Sequence, residues 1–349
     1  MMRRRMSRPI SIGDVTVGGG APVVVQSMAK TDTRNARATI DQIRQLEQCG
    51  CQLVRVAIPD GEAAEAIPII KRGITIPLIA DIHFDYRLAL LALKGGVDGL
   101  RLNPGNIADH EQIREVVLAA KEREIPIRIG VNAGSLPPPE NQEQTIVERM
   151  VSAALAQIKL FESLNFELIK VSLKAFDVPD TIAANRALAE RMPYPIHLGI
   201  TEAGTPRGGA IRSAVGIGIL LHEGIGDTIR VSLTGDPTEE VSAGYEILKS
   251  LDLSQRGPTL ISCPSCGRAE VDIIGLANAV EERLVKLEKT IKVAVMGCVV
   301  NGPGEVRDAD VGIACGKGKG VIFRKGEKVR TVKETDFLKA LMAEVEREV

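Results

Sequence analysis

Several residue types that support particular functions are scarce in this chain of 349 residues. It contains no tryptophan, and aromatic residues make up 3% of it, so the base-stacking platforms of nucleic-acid-binding proteins are not expected. The net charge of −1 at pH 7 excludes a global positive field that would attract nucleic acid. No uninterrupted run of about 18 apolar residues is present to span a membrane. We therefore expect neither nucleic acid nor a membrane as a partner.

The first residues do not read as a secretory signal. The basic start MMRRRMSR is followed by the polar, glycine-rich ISIGDVTVGGG, where a signal peptide would have an apolar segment. We therefore expect a cytoplasmic protein with reduced thiols. Its six cysteines are then ligands, nucleophiles or core residues, and Cys49 and Cys51 in QCGCQLVRV read as core or turn residues.

Short runs of β-branched and other apolar residues recur through the first 235 residues, and most are followed by a helical pattern. There are eight of them, at 22–28, 52–59, 76–84, 99–106, 125–134, 167–176, 195–204 and 228–235. Eight alternations predict a (β/α)8 TIM barrel. The alternative is an open, doubly wound sheet. It would need a Gly-x-Gly-x-x-Gly fingerprint after the first strand, and the sequence has none there.

The alternation ends at 250–260, and a different pattern follows. A helix is predicted at 271–287, strands at 291–297 and 311–316, a hairpin at 320–332 and a closing helix at 336–349. The pattern predicts a TIM-barrel domain over 1–253, with an N-terminal hairpin at 1–21. A linker at 254–260 would then lead to a small α+β domain over 261–349.

Polar residues collect at the carboxyl ends of the predicted barrel strands, where the active sites of such barrels lie. They are Arg55, Asp81, His83, Arg101, Asn103, Arg128, Asn132, Ser172, Lys174, His197, Glu202, Arg230 and Ser232. Arginine forks and a lysine suit phosphate oxygens, so the set predicts a small phosphorylated substrate, most simply a diphosphate. Glu202 in GITEAG is either a proton donor or acceptor, or the countercharge of Arg230 or Lys174. His83 and His197 are either catalytic or anchors of loops.

Three cysteines in the second domain have the spacing of metal ligands. Cys263 and Cys266 lie in SCPSC, and Cys298 lies in MGCVVNGPGE. This set suits a structural zinc ion or an iron–sulfur cluster. Ligand type favours Cys315 as the fourth ligand, whereas the tight turn NGPGE favours Glu305. Three thiolates and one exchangeable carboxylate would suit bond chemistry at a cluster.

The chain resembles the 4-hydroxy-3-methylbut-2-enyl diphosphate synthases, the iron–sulfur enzymes of the methylerythritol phosphate route to isoprenoids. The resemblance runs nearly end to end and matches the bacterial two-domain form. It is carried by VVVQSM, LVRVAIP, ADIHFDYRLAL, LRLNPGNI, IRIGVNAGSL, VSLKAFD, HLGITEAG, GIGDTIRVSLTGDP, SCPSCGR and MGCVVNGPGE.

The resemblance implies roles for individual residues. Cys263, Cys266, Cys298 and Glu305 match the ligands of one 4Fe–4S cluster. The diphosphate-binding set of the family is matched by Arg55, Arg101, Arg128, Lys174, Arg230 and Ser232. A further position at the substrate is matched by Asn132, and one beside the cluster by Asn301. The acid/base glutamate is matched by Glu202. Cys315 departs from the family, which usually has a small residue there.

The resemblance also implies an activity and partners. The reaction is the reductive ring opening and dehydration of 2-C-methyl-D-erythritol 2,4-cyclodiphosphate to (E)-4-hydroxy-3-methylbut-2-enyl diphosphate, which makes the chain an iron–sulfur oxidoreductase. Flavodoxin or ferredoxin would supply two electrons, one at a time. A head-to-tail homodimer would place the cluster domain of one subunit over the barrel of the other.

Two other functions remain open at this point. One is a zinc-stabilised TIM-barrel synthase or lyase that acts on a phosphorylated substrate. The other is a non-enzymatic zinc-ribbon protein that binds RNA, against which the charge and the few aromatic residues already weigh.

Overall fold

The computed structural model describes residues 4–103, 109–136, 143–285, 287, 289–298, 304 and 306–348. The chain divides into two compact units, Met1–Ser254 and Gln255–Val349. We call them the barrel unit and the cysteine unit.

The barrel unit contains eight parallel strands in one closed sheet, which confirms the predicted TIM barrel. The strands are β3 (Val24–Met28), β4 (Leu53–Ala57), β5 (Leu78–Ile82), β6 (Gly99–Leu102), β7 (Ile127–Asn132), β8 (Ile169–Lys174), β9 (His197–Leu198) and β10 (Thr228–Ile229). Their order in the sheet is β8-β7-β6-β5-β4-β3-β10-β9. A parallel bridge between Val171 and Ile196 joins the two ends of the sheet.

A helix follows each barrel strand. The helices are α1 (Ala36–Gln48), α2 (Gly61–Gly73), α3 (Tyr86–Gly95), α4 (His110–Glu122), α5 (Ile146–Ser163), α6 (Val178–Ala189), α7 (Pro206–His222) and α8 (Pro237–Ser250). Five of them start after an aspartate whose carboxylate accepts a backbone N–H of the first turn: Asp60, Asp85, Asp109, Asp177 and Asp236. No described helix of the chain is long and apolar enough to cross a membrane.

A hairpin precedes the barrel. Its strands are β1 (Ile10–Ile12) and β2 (Val15–Val17), and they pair antiparallel. The apolar side chains of the hairpin form a buried cluster with Val24, Leu53 and Ile79, which stand at or near the starts of their barrel strands. The hairpin therefore packs against the amino end of the barrel, opposite the end where the strands carry their polar residues.

Strand β8 shows how the barrel sorts its side chains. Ile169, Val171 and Leu173 belong to the apolar core that the helices share. Because side chains alternate along a strand, Lys170, Ser172 and Lys174 point to the barrel interior, where all three are buried. Branched apolar residues usually fill this space in TIM barrels. Here part of it is given to charged groups.

In its described residues, the cysteine unit is a five-stranded sheet with two α-helices. The strands β11 (Pro258–Ser262), β12 (Ile291–Met296) and β13 (Val311–Gly316) are parallel, and β14 (Lys319–Arg324) and β15 (Glu327–Lys333) continue the sheet antiparallel. Helices α9 (Ile273–Leu284) and α10 (Phe337–Glu348) contribute to its apolar core. The β14–β15 turn has positive φ at Lys325 and Gly326, as a two-residue hairpin requires. Strand β11 begins inside the segment that the sequence suggested as a linker.

Candidate active site

Asp81 holds two arginines of the barrel interior. Its carboxylate lies 3.1 Å from Nη1 of Arg101 and 3.4 Å from Nε of Arg55. Burial raises the pKa of Asp81, but Arg55 and Arg101 more than offset this effect and leave it at about 2. His83, the next predicted polar residue, is partly exposed and places Nε2 3.8 Å from the same carboxylate. The aspartate therefore stays ionised and fixes both guanidinium groups.

A glycine makes room for Arg101. A Cβ atom at Gly130 would lie 2.5 Å from Nε of Arg101, closer than Cβ atoms come to other atoms in proteins. Nη2 of Arg101 donates to the carbonyl oxygen of Gly130 at 3.2 Å. Gly130, in IRIGVN, therefore leaves the space that the side chain of Arg101 on the neighbouring strand occupies.

Arg128 is buried beside other cations. It is 3% exposed, and Nη1 donates to Ser172 Oγ at 2.9 Å. Nε and Nη2 have no hydrogen-bond partner among the described residues. Burial lowers the pKa of Arg128 well below its usual range, and Arg55 and Arg101 lower it further. Two of its nitrogen atoms are therefore free to donate to an anion.

Register places like charges side by side across three strands. Arg101 of β6 pairs with Arg128 of β7, and Arg128 pairs with Lys170 of β8. Like charges opposite each other destabilise a sheet. Lys170 is 2% exposed, and its Nζ has no hydrogen-bond partner in the described part of the chain. Burial lowers the pKa of Lys170 well below its usual range, Arg128 lowers it further, and Asp227 opposes this effect. The barrel interior thus holds more basic groups than acids that pair with them.

Arg230 has a carboxylate partner that the sequence did not suggest. Glu240, on α8, accepts from Nε and Nη2 of Arg230, at 3.2 Å each, and lies 3.0 Å from Nζ of Lys30. Nη1 of Arg230 donates to Oγ of Ser232 at 2.6 Å. Glu240 is therefore the countercharge of Arg230, a place that the sequence left open for Glu202.

Glu202 stands apart from these buried ion pairs. It is exposed, in the turn after β9, and its backbone is left-handed with φ of 53°. A non-glycine residue in this conformation is uncommon and is found at functional turns. Asn132, the last residue of β7, is half-buried at the same end of the barrel. Asn103 is buried and donates to Ser135 Oγ at 2.9 Å.

Lys174 completes the predicted cationic set. It is 7% exposed, and its Nζ lies 3.1 Å from Nε2 of His197. His197 is buried, and its Nδ1 lies 2.7 Å from Oγ1 of Thr228. The sequence placed Lys174 and His197 at the ends of barrel strands but did not predict this contact.

Two of the predicted cysteine ligands follow neighbouring parallel strands. Cys263 comes directly after β11, and Cys298 comes two residues after β12. The backbone N–H of Gly297 donates to Sγ of Cys263 at 3.2 Å. Parallel strands end at the same edge of a sheet, so both thiols belong to one edge, which we call the cysteine edge.

Cys266 and Cys315 differ in their surroundings. Cys266 is exposed, and hydrogen bonds from the backbone and side chain of Arg268 lower the pKa of its thiol. The side chains of Cys266 and Cys298 in turn raise the pKa of Arg268. Cys315 is buried in the apolar core, and burial raises the pKa of its thiol to about 12. The thiol of Cys315 therefore ionises less readily than that of Cys266, which favours a core role for Cys315.

Glu305 and Asn301 lie outside the described residues. Within the described ranges, no three His, Cys, Asp or Glu side chains form a group that could hold a metal ion. Of the remaining cysteines, Cys51 is buried, and Cys49 is exposed at the C-terminal end of α1.

Two family models match the chain and together cover both units. The model described as the GcpE TIM-barrel domain matches residues 7–245, and the model described as the GcpE protein C-terminal domain matches residues 259–347. The chain belongs to the GcpE family.

Curated relatives match this GcpE chain from end to end. A protein of Dehalococcoides mccartyi is 63% identical over 345 residues, which cover 99% of both chains. A protein of Geobacter sulfurreducens is 59% identical over 98% of this chain and 97% of its own length. One from Thermodesulfovibrio yellowstonii is 55% identical over 99% of this chain and 100% of its own. Each is named 4-hydroxy-3-methylbut-2-en-1-yl diphosphate synthase (flavodoxin).

Solved structures resemble the fold at low identity. Dihydropteroate synthase from Xanthomonas albilineans, in complex with 7,8-dihydropteroate, matches with a TM-score of 0.52 and 14% identity over 70% of this chain and 98% of that one. The enzyme from Stenotrophomonas maltophilia gives 0.51 and 13% over 66% and 92%. At this identity the likeness supports the barrel fold of the GcpE chain and nothing about its chemistry.

Proposed function

We propose that the chain catalyses the reductive ring opening of 2-C-methyl-D-erythritol 2,4-cyclodiphosphate to (E)-4-hydroxy-3-methylbut-2-enyl diphosphate. The reaction takes up two electrons and two protons and releases one water molecule. Relatives that carry the name of this synthase share 55–63% identity with the chain over nearly its whole length. Family matches to both units favour this function over a zinc-stabilised synthase or lyase and over an RNA-binding protein.

The excess of buried positive charge is the structural observation that carries the proposal. The cations of the barrel interior that are at most 7% exposed are Arg101, Arg128, Lys170 and Lys174. The buried carboxylates near these cations are Asp81, Glu240 and Asp227. Asp81 and Glu240 each pair with two cations, and Asp227 pairs with Arg4 and acts electrostatically on Lys170. Moving a charged group from water into the protein interior costs several kcal/mol, and without a charged partner nothing offsets this cost. A bound dianion or trianion would remove much of this cost.

The free donors suit the two phosphate groups of the substrate. Nε and Nη2 of Arg128 and Nε of Arg101 are buried nitrogen atoms with no partner in the described structure. The binding set would be completed by Arg55, Lys174, Arg230, Ser232 and Asn132. Preorganised cations stabilise the negative charge that develops on the departing phosphate oxygen as the C–O bond of the ring opens.

Glu202 would supply a proton. The leaving hydroxyl must take up a proton to depart as water, and a carboxyl group at the barrel mouth can donate it. Glu202 fits this role because it is exposed in the turn after β9, whereas Asp81 and Glu240 are fixed in ion pairs.

We further propose that Cys263, Cys266, Cys298 and Glu305 hold one 4Fe–4S cluster, with Asn301 beside it. The donor chemistry fits, because two of the cysteines end neighbouring strands and a backbone N–H already points at one of the sulfur atoms. When bound, such a cluster supplies electrons one at a time. The qualifier in the relatives' name favours flavodoxin as the source of these electrons, with ferredoxin as the alternative.

A head-to-tail homodimer is part of the proposal. The cysteine unit of one subunit would cover the barrel of its partner, which would bring the cluster to a substrate held by the cations. Sedimentation under turnover conditions tests this arrangement, and a fully active monomer would contradict it.

Anaerobic reconstitution tests the proposed function. The protein is treated with iron and sulfide, reduced with flavodoxin, and mixed with the cyclodiphosphate. We expect a visible cluster absorbance and formation of the linear diphosphate, detected by phosphorus NMR and mass spectrometry. A colourless protein with stoichiometric zinc and no conversion would refute it.

A further inference from the structure

Three buried side chains form a chain of hydrogen bonds across strands β8, β9 and β10. Lys174 Nζ lies 3.1 Å from His197 Nε2, and His197 Nδ1 lies 2.7 Å from Thr228 Oγ1. Lys174 is 7% exposed, His197 is 1% exposed and Thr228 is fully buried. Such burial of a lysine amine is rare without an acidic partner.

The charge of Lys174 fixes the direction of these hydrogen bonds. In the charged form that attracts a phosphate group, the amine carries three N–H donors and no acceptor, so Nε2 of His197 accepts from Lys174. Burial lowers the pKa of His197 well below its usual range, and Lys174 and Arg128 lower it further. The imidazole is therefore neutral, and its single proton sits on Nδ1, which donates to the Thr228 hydroxyl.

The surroundings of the amine are tightly packed and cationic. A Cβ atom at Gly199 would lie 2.5 Å from Nζ of Lys174, so the backbone of the next strand packs closely against it. Burial lowers the pKa of Lys174 well below its usual range, and the neighbouring cations Arg128 of β7, Arg230 after β10, Arg55 of β4 and Arg101 of β6 lower it further. A bound anion would favour the charged form of the amine. Among the described residues, the imidazole is the hydrogen-bond partner of the amine.

We infer that His197 is a positioning residue for anion binding, which holds the amine of Lys174 in place through Nε2 while Thr228 fixes its tautomer. The inference rests on the proposed function for the role of Lys174 at the phosphate groups. A neutral acceptor orients the ammonium without cancelling its charge, and two N–H groups remain for phosphate oxygens. Arg230 differs, because the carboxylate of Glu240 both holds it and offsets its charge.

Matched substitutions of His197 test the inference, with inorganic pyrophosphate as the probe. His197→Gln keeps an acceptor near the position of Nε2, whereas His197→Leu removes the acceptor and keeps most of the volume. Titration calorimetry of the full-length protein should show about ten- to a hundred-fold weaker binding for His197→Leu, since a hydrogen bond to a charged group is lost. His197→Gln should bind within about three-fold of the unmodified protein.

A second pair separates positioning from folding. Thr228→Ser keeps the hydroxyl that accepts from Nδ1, and Thr228→Val removes it at nearly constant volume. Thr228→Val should weaken pyrophosphate binding by about three- to ten-fold, and Thr228→Ser should not. Thermal unfolding of all four variants shows whether a loss of binding reflects a loss of structure.

The outcomes decide the inference separately from the proposed function. Equal binding by His197→Leu and the unmodified protein overturns it. A matched loss of binding and thermal stability in both His197→Leu and His197→Gln also overturns it, since His197 would then be structural. In turnover with the cyclodiphosphate, KM should rise and kcat/KM should fall for His197→Leu, and both should stay close to the values of the unmodified protein for His197→Gln. Failure of the unmodified protein to turn over would instead refute the proposed function, while the pyrophosphate series would still stand.

Discussion

The two units of the chain handle charge in opposite ways. The barrel unit buries arginines and lysines inside its sheet and surrounds the sheet with an apolar shell. The cysteine unit has an apolar core, and its candidate ligands Cys263 and Cys298 follow the ends of strands β11 and β12. A rigid interior suits the binding of a fixed anion, whereas ligands at a sheet edge suit a group that must be reached from outside. Substrate binding and electron transfer should therefore be separable by substitution.

The largest expected effect is the loss of turnover in Cys298→Ala. Removal of one of three thiolate ligands should abolish the cluster absorbance and the turnover of the cyclodiphosphate. Pyrophosphate binding should stay within about two-fold, since the cations of the barrel are untouched. Absorbance spectroscopy, product analysis and calorimetry on the same preparation measure the three quantities.

Cys315→Ala is the matched control for this substitution. Cys315 is buried in the apolar core of the same unit, and its replacement removes a small side chain there. We expect normal cluster absorbance and a loss of about 1 kcal/mol in the free energy of unfolding. If Cys315→Ala lost the cluster and Cys298→Ala kept it, the proposed ligand set would be wrong.

Glu202→Gln should break the chemistry and leave both units intact. Loss of a positioned proton donor lowers the rate by about 10²- to 10⁴-fold. Cluster absorbance and pyrophosphate binding should be unchanged, since Glu202 is exposed in a turn of the barrel unit. Unchanged kcat in steady-state assays would remove Glu202 from the proposed mechanism.

Asp81→Asn and Arg128→Met should shift the stability of the barrel unit in opposite directions. Asp81 pairs with two buried arginines, so its neutralisation should lower the free energy of unfolding by about 3–5 kcal/mol. Arg128 makes one hydrogen bond, to Ser172, and two of its nitrogen atoms are buried without partners in the described structure. Arg128→Met should raise the free energy of unfolding by about 1–2 kcal/mol and weaken pyrophosphate binding. Urea unfolding without ligand measures both, and equal losses in the two variants would contradict the excess of positive charge.

The sequence predicted the barrel well because its signal is local. Eight apolar runs matched eight strands, since the alternation of strand and helix needs no knowledge of distant contacts. Runs 195–204 and 228–235 form strands of two residues each, and their remaining residues include the turn of Glu202 and the segment of Arg230. A run of apolar residues does not show where pairing stops.

The sequence could not predict which charges meet. Glu240 faces Arg230 because of the way in which α8 is rotated about its axis. In the sequence, Glu240 is only one of two adjacent glutamates that precede Val241, which is buried. The pairing of Lys174 with His197 depends on the register of two strands. Lys170 lies in a strand that alternates lysine and serine with apolar residues. Such an alternation indicates a polar barrel interior, and this is the signal from which Lys170 could have been predicted.

The smallest expected effect is the acid sensitivity that Asp81 gives to the barrel unit. Its pKa is about 2 in the folded protein, below the ordinary value of an aspartate near 4, because Arg55 and Arg101 outweigh its burial. A depressed pKa contributes stability above the unfolded value, and this contribution is lost as the pH falls from about 4 to about 2. The loss should amount to about 2 kcal/mol in the free energy of unfolding, as measured by urea titrations at a series of pH values. Asp81→Asn should show a correspondingly shallower dependence over this interval. An identical slope in the variant would mean that other carboxylates cause the acid sensitivity, and the ion pairs of Asp81 would then not be what holds the arginines in place.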